Sequence, residues 1–131
     1  MPQIRIADAA RLLGVSDDTV RRWVSAKALR STADTSGRMA IDGRDLAEFA
    51  RNQAKAMPDS GASTSARNRL IGLVTAVKTD TVMAQVELQC GPFRVVSLMS
   101  SEAVEELGLE PGSVAVAIVK STNVIVESLE G

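Results

Sequence analysis

The fold of the first half of this chain is decided by residues 6–23, which read IADAARLLGVSDDTVRRW. Apolar residues at helical spacing predict a short helix over residues 8–13, and Gly14 is placed to end it. Ser16 has the small polar side chain of a helix N-cap, so a second helix is expected from there to about Lys27. The stretch therefore predicts two short helices joined by a tight turn.

The residues after the second helix predict a hairpin and a third helix. Residues 29–41 are interrupted by the turn-forming sequence DTSG at 34–37, which is typical of a small hairpin. A last helix is expected from Asp42 or Gly43, because apolar residues again recur at helical spacing. The apolar faces of the second and third helices comprise Val20, Trp23, Val24, Leu46, Phe49 and Ala50.

A change in composition marks a domain boundary. Residues 58–64, PDSGAST, are small, polar or turn-forming and show no periodicity, which is typical of a linker. The pattern is helical before this segment and mainly strand after it, and no internal repeat is present. The sequence therefore predicts one domain over residues 1–57, a linker over 58–64 and a second domain over 65–131.

The second half predicts five short strands and one helix. The helix is expected to be capped by Ser100 or Ser101 and to end at Gly108. The strands are expected over residues 70–77, 82–88, 93–99, 114–119 and 124–126. This order predicts a small, partly open β-barrel of the OB type with one helix, so the whole chain is expected to be an α+β two-domain protein.

Composition argues against several classes of function. The chain has no His and no Tyr, which removes the commonest general base and the commonest metal ligand, so no enzyme is expected. The single cysteine, Cys90, cannot form an internal disulfide or a zinc cluster, which favours a reduced, cytoplasmic setting. No apolar run approaches the ~20 residues that span a bilayer, and the N-terminus lacks a signal core, so no membrane partner is expected.

Charge is divided unevenly between the two halves. Residues 1–57 carry 10 basic and 7 acidic side chains, a net charge of +3, whereas residues 58–131 carry 5 and 9, a net charge of −4. A basic first domain and an acidic second domain indicate different partners for the two halves.

The first domain resembles the helix-turn-helix of the MerR and excisionase-like winged-helix families over about residues 4–52. The resemblance implies that double-stranded DNA is the partner, with the second helix in the major groove and the hairpin as a wing. The residues expected to contact DNA are Ser16, Asp17, Thr19, Arg21, Arg22, Lys27 and Arg38. Whether each arginine would read a guanine edge or a phosphate is open. The alternative is that these charges form an ordinary solvated helix face.

The second domain carries a divided set of residues suited to a small tetrahedral oxyanion. SARN at residues 65–68 opens the domain and KSTN at 120–123 lies near its end, with Ser97 and Ser100 between them. Arginine and lysine can offset the charge of the anion, while hydroxyl and backbone N–H groups can donate to its oxygens. The set therefore predicts an anion site.

Three blocks in order, SARNRL at 65–70, VEELGL at 104–109 and IVKSTNV at 118–124, resemble the Mop or TOBE domain, the molybdate-binding module. The resemblance implies molybdate as ligand, with tungstate possible, bound at interfaces between subunits of a homo-oligomer. Molybdenum would be bound only as the intact oxyanion, without a direct metal ligand. The residues carried over by position are Ser65, Ala66, Arg67, Ser97, Ser100, Lys120 and Ser121.

Each of these residues also has a structural interpretation. Ser100 can be a plain N-cap, Ser97 can point outward from a strand, and Arg67 and Lys120 can be solvated edge charges. Taken together, the two resemblances predict a molybdate-responsive DNA-binding transcriptional regulator, similar in logic to ModE-type regulators. The alternatives are a molybdate storage or buffering protein and an excisionase-like architectural DNA-binding protein.

Overall fold

The computed structural model describes residues 2–54 and 64–129. These residues form two compact units, one on each side of residues 55–63. The predicted linker at 58–64 lies outside the described residues except for Thr64, so the exact domain boundary stays a prediction. No helix within the described ranges is long and apolar enough to cross a membrane.

The N-terminal unit combines three helices with a small antiparallel sheet. Strand β3 lies between β1 and β2, and it pairs with both. The hairpin expected over residues 29–41 is confirmed as β2 and β3, whereas β1 was not predicted. The elements in chain order are β1 (Gln3–Arg5), α1 (Ile6–Leu13), α2 (Asp17–Ser25), β2 (Thr32–Ala33), β3 (Met39–Asp42) and α3 (Gly43–Gln53).

The ends of α1 and α2 follow from local chemistry. Gly14 adopts the left-handed conformation (φ 69°) that ends α1, as its sequence position predicts. The Ser16 hydroxyl accepts a hydrogen bond from the Thr19 amide at 3.2 Å and so caps α2. Two helix ends were predicted wrongly. Helix α1 begins at Ile6, two residues before Asp8. Helix α2 ends at Ser25 and not near Lys27, because the backbone of Lys27 is left-handed (φ 62°).

An aliphatic core holds this unit together. Val20 and Leu46 are buried, as the helical spacing predicts, while the ring of Trp23 packs against that of Phe49 with centroids 4.7 Å apart. Burial of such side chains is the main stabilising contribution to a domain of this size. The buried cluster comprises Ile6, Ala9, Ala10, Val20, Leu29, Ile41 and Leu46.

The C-terminal unit is a half-open barrel built from a four-stranded antiparallel sheet. The strand order is β6-β5-β4-β7, and one helix follows β6. The elements are β4 (Asn68–Thr79), β5 (Met83–Cys90), β6 (Phe93–Ser100), α4 (Ser101–Leu107), β7 (Val114–Val119) and a 3₁₀ turn (Ser121–Asn123). The predicted α+β class and OB-like barrel are confirmed.

Strand β4 is long enough to pair with two other strands. Its first half, Asn68–Leu73, pairs with β7, and it pairs with β5 from Leu73 onward, with a register shift between Val74 and Ala76. Gly72 lies in the first half, where a Cβ would come within 2.6 Å of the Cys90 sulfur. Glycine therefore permits the close approach of β4 and β5 as the sheet coils.

The fifth predicted strand, residues 124–126, is wrong. After the 3₁₀ turn the described residues 124–129 form no strand, and Ile125 and Val126 are 94% and 86% exposed. The β-branched sequence VIV favours a strand, but an isolated strand needs a neighbour to satisfy its backbone. We call residues 124–129 the C-terminal segment.

Candidate functional site

The exposed face of α2 carries a connected row of polar side chains. The hydroxyls of Ser16 and Thr19 lie 3.0 Å apart, and Nη2 of Arg22 donates to Oγ1 of Thr19 at 3.1 Å. The N-cap of α2 is thus linked through Thr19 to Arg22. This link limits the positions that the Arg22 guanidinium can occupy, which lowers the entropy that binding would have to remove.

The hairpin beside α2 is organised by Asp34. Its carboxylate accepts hydrogen bonds from the amides of Ser36 at 2.8 Å and Arg38 at 3.0 Å, and from Nε of Arg5 at 3.3 Å. These contacts, first the Arg38 amide, lower the pKa of Asp34 from its ordinary value of 3.8. The turn therefore stays anchored by an ionised carboxylate at neutral pH.

Three of the residues predicted to contact DNA lie together. Asp17, Arg21 and Arg38 line one cleft of about 360 Å³ between the start of α2 and β3. Arg5, which sequence reasoning missed, lines the same cleft. Its contribution depends on β1, a three-residue strand with too little sequence pattern to be recognised.

Lys27 is not part of this group. It follows the C-terminal end of α2 and lines a separate depression that it shares with Gln3 and Arg30. The structure thus brings together the predicted residues at the start of α2 and in the hairpin, and it places Lys27 apart from them.

In the C-terminal unit, the opening and closing blocks of the predicted anion set lie side by side. Asn68 pairs with Val119, and its Nδ2 donates to the Val119 carbonyl at 3.0 Å. This contact places Arg67 and Lys120 next to each other at one end of the β4–β7 ladder. Ser65, Arg67, Lys120 and Ser121 are exposed, whereas Ala66 is buried.

Arg67 and Lys120 contribute two positive charges at this end of the ladder. Among residues 2–54 and 64–129, neither Arg67 nor Lys120 forms an ion pair. Nη1 of Arg67 donates to the Thr64 carbonyl at 3.1 Å, which fixes the side chain over the start of the domain. Two adjacent positive charges that form no ion pair within the described ranges can bind an anion from solution.

Ser97 and Ser100 lie elsewhere. Ser97 pairs with Val86, which pairs in turn with Val77 near the far end of β4. Asn68 and Val77 are nine positions apart, about 30 Å along the contour of β4. The ladder therefore does not place Ser97 and Ser100 beside Arg67 and Lys120, but Ser97 lines a groove of about 760 Å³ together with Ile118 and Val119, which directly precede Lys120.

The two serines have different environments. Oγ of Ser100 accepts a hydrogen bond from the Ala103 amide at 3.1 Å, so this residue is the N-cap of α4 and its hydroxyl proton remains available for donation. Ser97 is half-buried and lies on the same face of β6 as Val95 and Met99, which pack against the core. Its side chain thus belongs to the core-facing side of the sheet.

Within the described parts of the chain, no group of three or more potential metal-ligating side chains is present. Cys90 is free and buried at the end of β5. The available groups at the β4–β7 end are donors and cations, which suit oxyanion oxygens.

Comparison with known families defines both halves of the chain. Residues 4–54 match the model of a helix-turn-helix domain, and residues 64–126 match that of the TOBE domain. The fold and these matches make the chain a two-domain protein in which a helix-turn-helix domain precedes a TOBE domain.

The relatives cover the second half. Molybdenum-pterin-binding protein 3 of Clostridium pasteurianum is 43% identical over 65 residues, which are 49% of this chain and 96% of that protein. The molybdenum transport protein ModE of Herbaspirillum seropedicae is 38% identical over 63 residues, 47% of this chain and 23% of that protein. The structure of a molybdate binding protein from Sporomusa ovata matches with 30% identity and a TM-score of 0.50, covering 51% of this chain and 100% of that one.

The chain therefore belongs to the TOBE domain family, here with a helix-turn-helix domain in front of the TOBE domain. This confirms the fusion that the sequence blocks predicted.

Proposed function

We propose that this protein is a cytoplasmic, molybdate-responsive or tungstate-responsive DNA-binding transcriptional regulator. The observation that carries the proposal is the fusion itself. The molybdenum-pterin-binding relative is matched over 96% of its length by the TOBE half alone, whereas this chain adds a helix-turn-helix domain. A domain that binds the oxyanion can then act on a domain that binds DNA, and no catalytic step is needed.

The β4–β7 end of the second unit supports oxyanion binding. Arg67 and Lys120 are exposed, adjacent and without ion pairs in the described residues, and Ser65 and Ser121 add hydroxyl donors. Desolvating a dianion requires opposite charge and nearly complete hydrogen bonding, which two cations and two hydroxyls of one chain supply only in part. The remaining donors come from elsewhere in the assembly.

Self-association would supply the remaining hydrogen-bond donors. The strand register does not bring Ser97 and Ser100 beside Arg67 of their own chain, so in our proposal a second copy contributes them. The unit also exposes many large apolar side chains, which monomeric soluble proteins rarely do in contiguous patches. Those at least 65% exposed are Val82, Phe93, Leu98, Leu107, Val114, Ile125, Val126 and Leu129.

Regulation would follow from linkage. If the oxyanion bridges two copies, it favours one assembly over others, and that assembly fixes the spacing of the helix-turn-helix domains on DNA. The spacing of two such readers decides whether both can enter successive major grooves. Oxyanion concentration thereby sets DNA affinity.

Thermal melting of the full chain with molybdate, tungstate or sulfate tests the ligand assignment. A ligand present at about 100 times its dissociation constant should stabilise the folded protein by about 2.7 kcal/mol. We expect this for molybdate and tungstate and a smaller effect for sulfate, and we expect Arg67→Ala to remove it. Equal melting curves with and without molybdate would contradict the assignment.

A storage or buffering role is the second candidate. It is favoured by the relatives that consist almost entirely of the TOBE part, such as the Clostridium protein. It predicts tight molybdate binding together with no retention of duplex DNA. A filter-binding assay of the full chain with genomic fragments separates it from the regulator, because only the regulator should retain DNA.

A further inference from the structure

The cleft between α2 and the hairpin of the N-terminal unit is lined by three arginines from separate parts of the sequence. Arg5 ends β1, Arg21 lies on α2 and Arg38 directly precedes β3. All three line the cleft of about 360 Å³ together with Asp17. Sequence separation among the three arginines is large, so the fold itself creates this concentration of positive charge.

The bond to Asp34 positions Arg5 but occupies only one nitrogen of its guanidinium. Its Nε donates to Oδ2 of Asp34 at 3.3 Å, and its side chain remains 49% exposed. The two terminal nitrogens of the guanidinium are not used in this bond. Because the same Asp34 carboxylate also accepts from the Arg38 amide, one residue positions both Arg5 and the start of β3.

The charges around the cleft do not cancel. Three arginines face two carboxylates, those of Asp17 and Asp34, so one positive charge remains. A phosphodiester group carries one negative charge. Its non-bridging oxygens also match the paired N–H groups of a guanidinium, which bind phosphate in a two-pronged geometry.

We infer that Arg5, Arg21 and Arg38 clamp one backbone phosphate of duplex DNA in this cleft. The inference rests on the proposed DNA-binding function and adds to it a named ligand group and Arg5. Arg22, which is bonded to Thr19 instead of lining the cleft, is left for a different contact. The clamp sets the orientation of the domain on the duplex and carries no sequence preference of its own.

The test is the salt dependence of binding by the full chain to two unrelated duplexes. Each phosphate contact contributes about 0.9 to the slope of log affinity against log salt. We expect Arg5→Ala to reduce the slope by about that amount and to weaken binding equally on both duplexes. Arg94→Ala removes the same charge from the C-terminal unit, where Arg94 bonds Glu87, and should leave the slope unchanged.

Other outcomes of these measurements distinguish the phosphate clamp from its alternatives. A slope for Arg5→Ala equal to that of Arg94→Ala, with matching melting temperatures, overturns the clamp. Arg5→Lys keeps the charge but loses the paired N–H groups of the guanidinium. The salt slope should therefore stay the same, while the affinity for both duplexes falls. Stabilisation of the parent by inorganic phosphate that Arg5→Ala loses, without a change in DNA slope, would show that the cleft takes free phosphate instead. Failure of the parent to bind either duplex would overturn the proposed function itself.

Discussion

The Asp34 carboxylate joins the hairpin turn to a distant strand, since it accepts from the amides of Ser36 and Arg38 and from the side chain of Arg5. The DTSG sequence predicted the turn, because Asp commonly accepts from backbone amides that follow it. The bond to Arg5 could not be predicted, because local sequence does not say which strand lies beside the hairpin. The local sequence therefore predicts the contacts of Asp34 within the turn but not its contact with Arg5.

The pKa of Asp34 gives a prediction about stability and pH. Because the pKa is lower in the folded protein than its ordinary value of 3.8, the ionised carboxylate stabilises the fold above that pH. This stabilisation is lost as pH falls through the lowered folded pKa. Asp34→Asn should therefore melt below the parent at neutral pH, and the difference should shrink as the solution is acidified below 3.8.

Circular dichroism melts of the full chain at several pH values would measure this. Thr35→Ala, in the same turn but without a titrating group, should melt at a constant offset from the parent. A difference between parent and Asp34→Asn that stays the same down to the most acidic melt would show that the carboxylate charge contributes nothing.

Gly72 offers a second test at the level of one residue. A Cβ there would lie 2.6 Å from the buried Cys90 sulfur and 3.2 Å from the Gln89 carbonyl oxygen, so Gly72→Ala must push β4 away from β5. We expect a loss of about 1–3 kcal/mol in the free energy of unfolding, which is typical of overpacking. Denaturant titration would measure it, and adding Cys90→Ala should restore part of the loss. An unchanged midpoint would mean that the sheet does not need this close approach.

Among the elements, those with local stop and start signals were predicted best. Ser16 and Ser100 cap α2 and α4, and Gly108 ends α4, as their positions in the sequence indicate. The start of α1 was missed because Ile6 is a core residue that directly follows β1, so no capping side chain marks it. The strand expected at 124–126 was wrong because these residues pair with no strand among the described residues, although β7 is an edge strand.

The C-terminal segment gives a prediction at this scale. Its exposed apolar residues and the unpaired outer edge of β7 support association between copies in our proposal. Placing a charge in the segment with Ile125→Asp should shift the protein toward smaller assemblies, whereas Ile125→Leu should not. Light scattering during size-exclusion chromatography would report the mass. The same mass distribution for both variants would exclude this segment from the interface.

For the whole molecule, the three sequence blocks predicted one oxyanion-binding set but not where the sheet would place its members. Antiparallel pairing of β4 with β7 brings the first and last blocks together. Strand β6, by contrast, lies at the other edge of the sheet, two strands from β4. Sequence alone indicates which residue types suit the ligand, while the topology shows on which strands they lie.

The central claim is that oxyanion binding in the second domain changes DNA binding by the first. The most direct measurement is the affinity of the full chain for a genomic fragment that it retains, by fluorescence anisotropy, with molybdate and with sulfate. We predict a change of about 5-fold or more with molybdate only. Arg67→Ala should lose the response but keep the affinity found without molybdate, and Arg22→Ala should lose the affinity but keep molybdate binding. The same DNA affinity with and without molybdate, in a protein that molybdate stabilises against heat, would contradict the account.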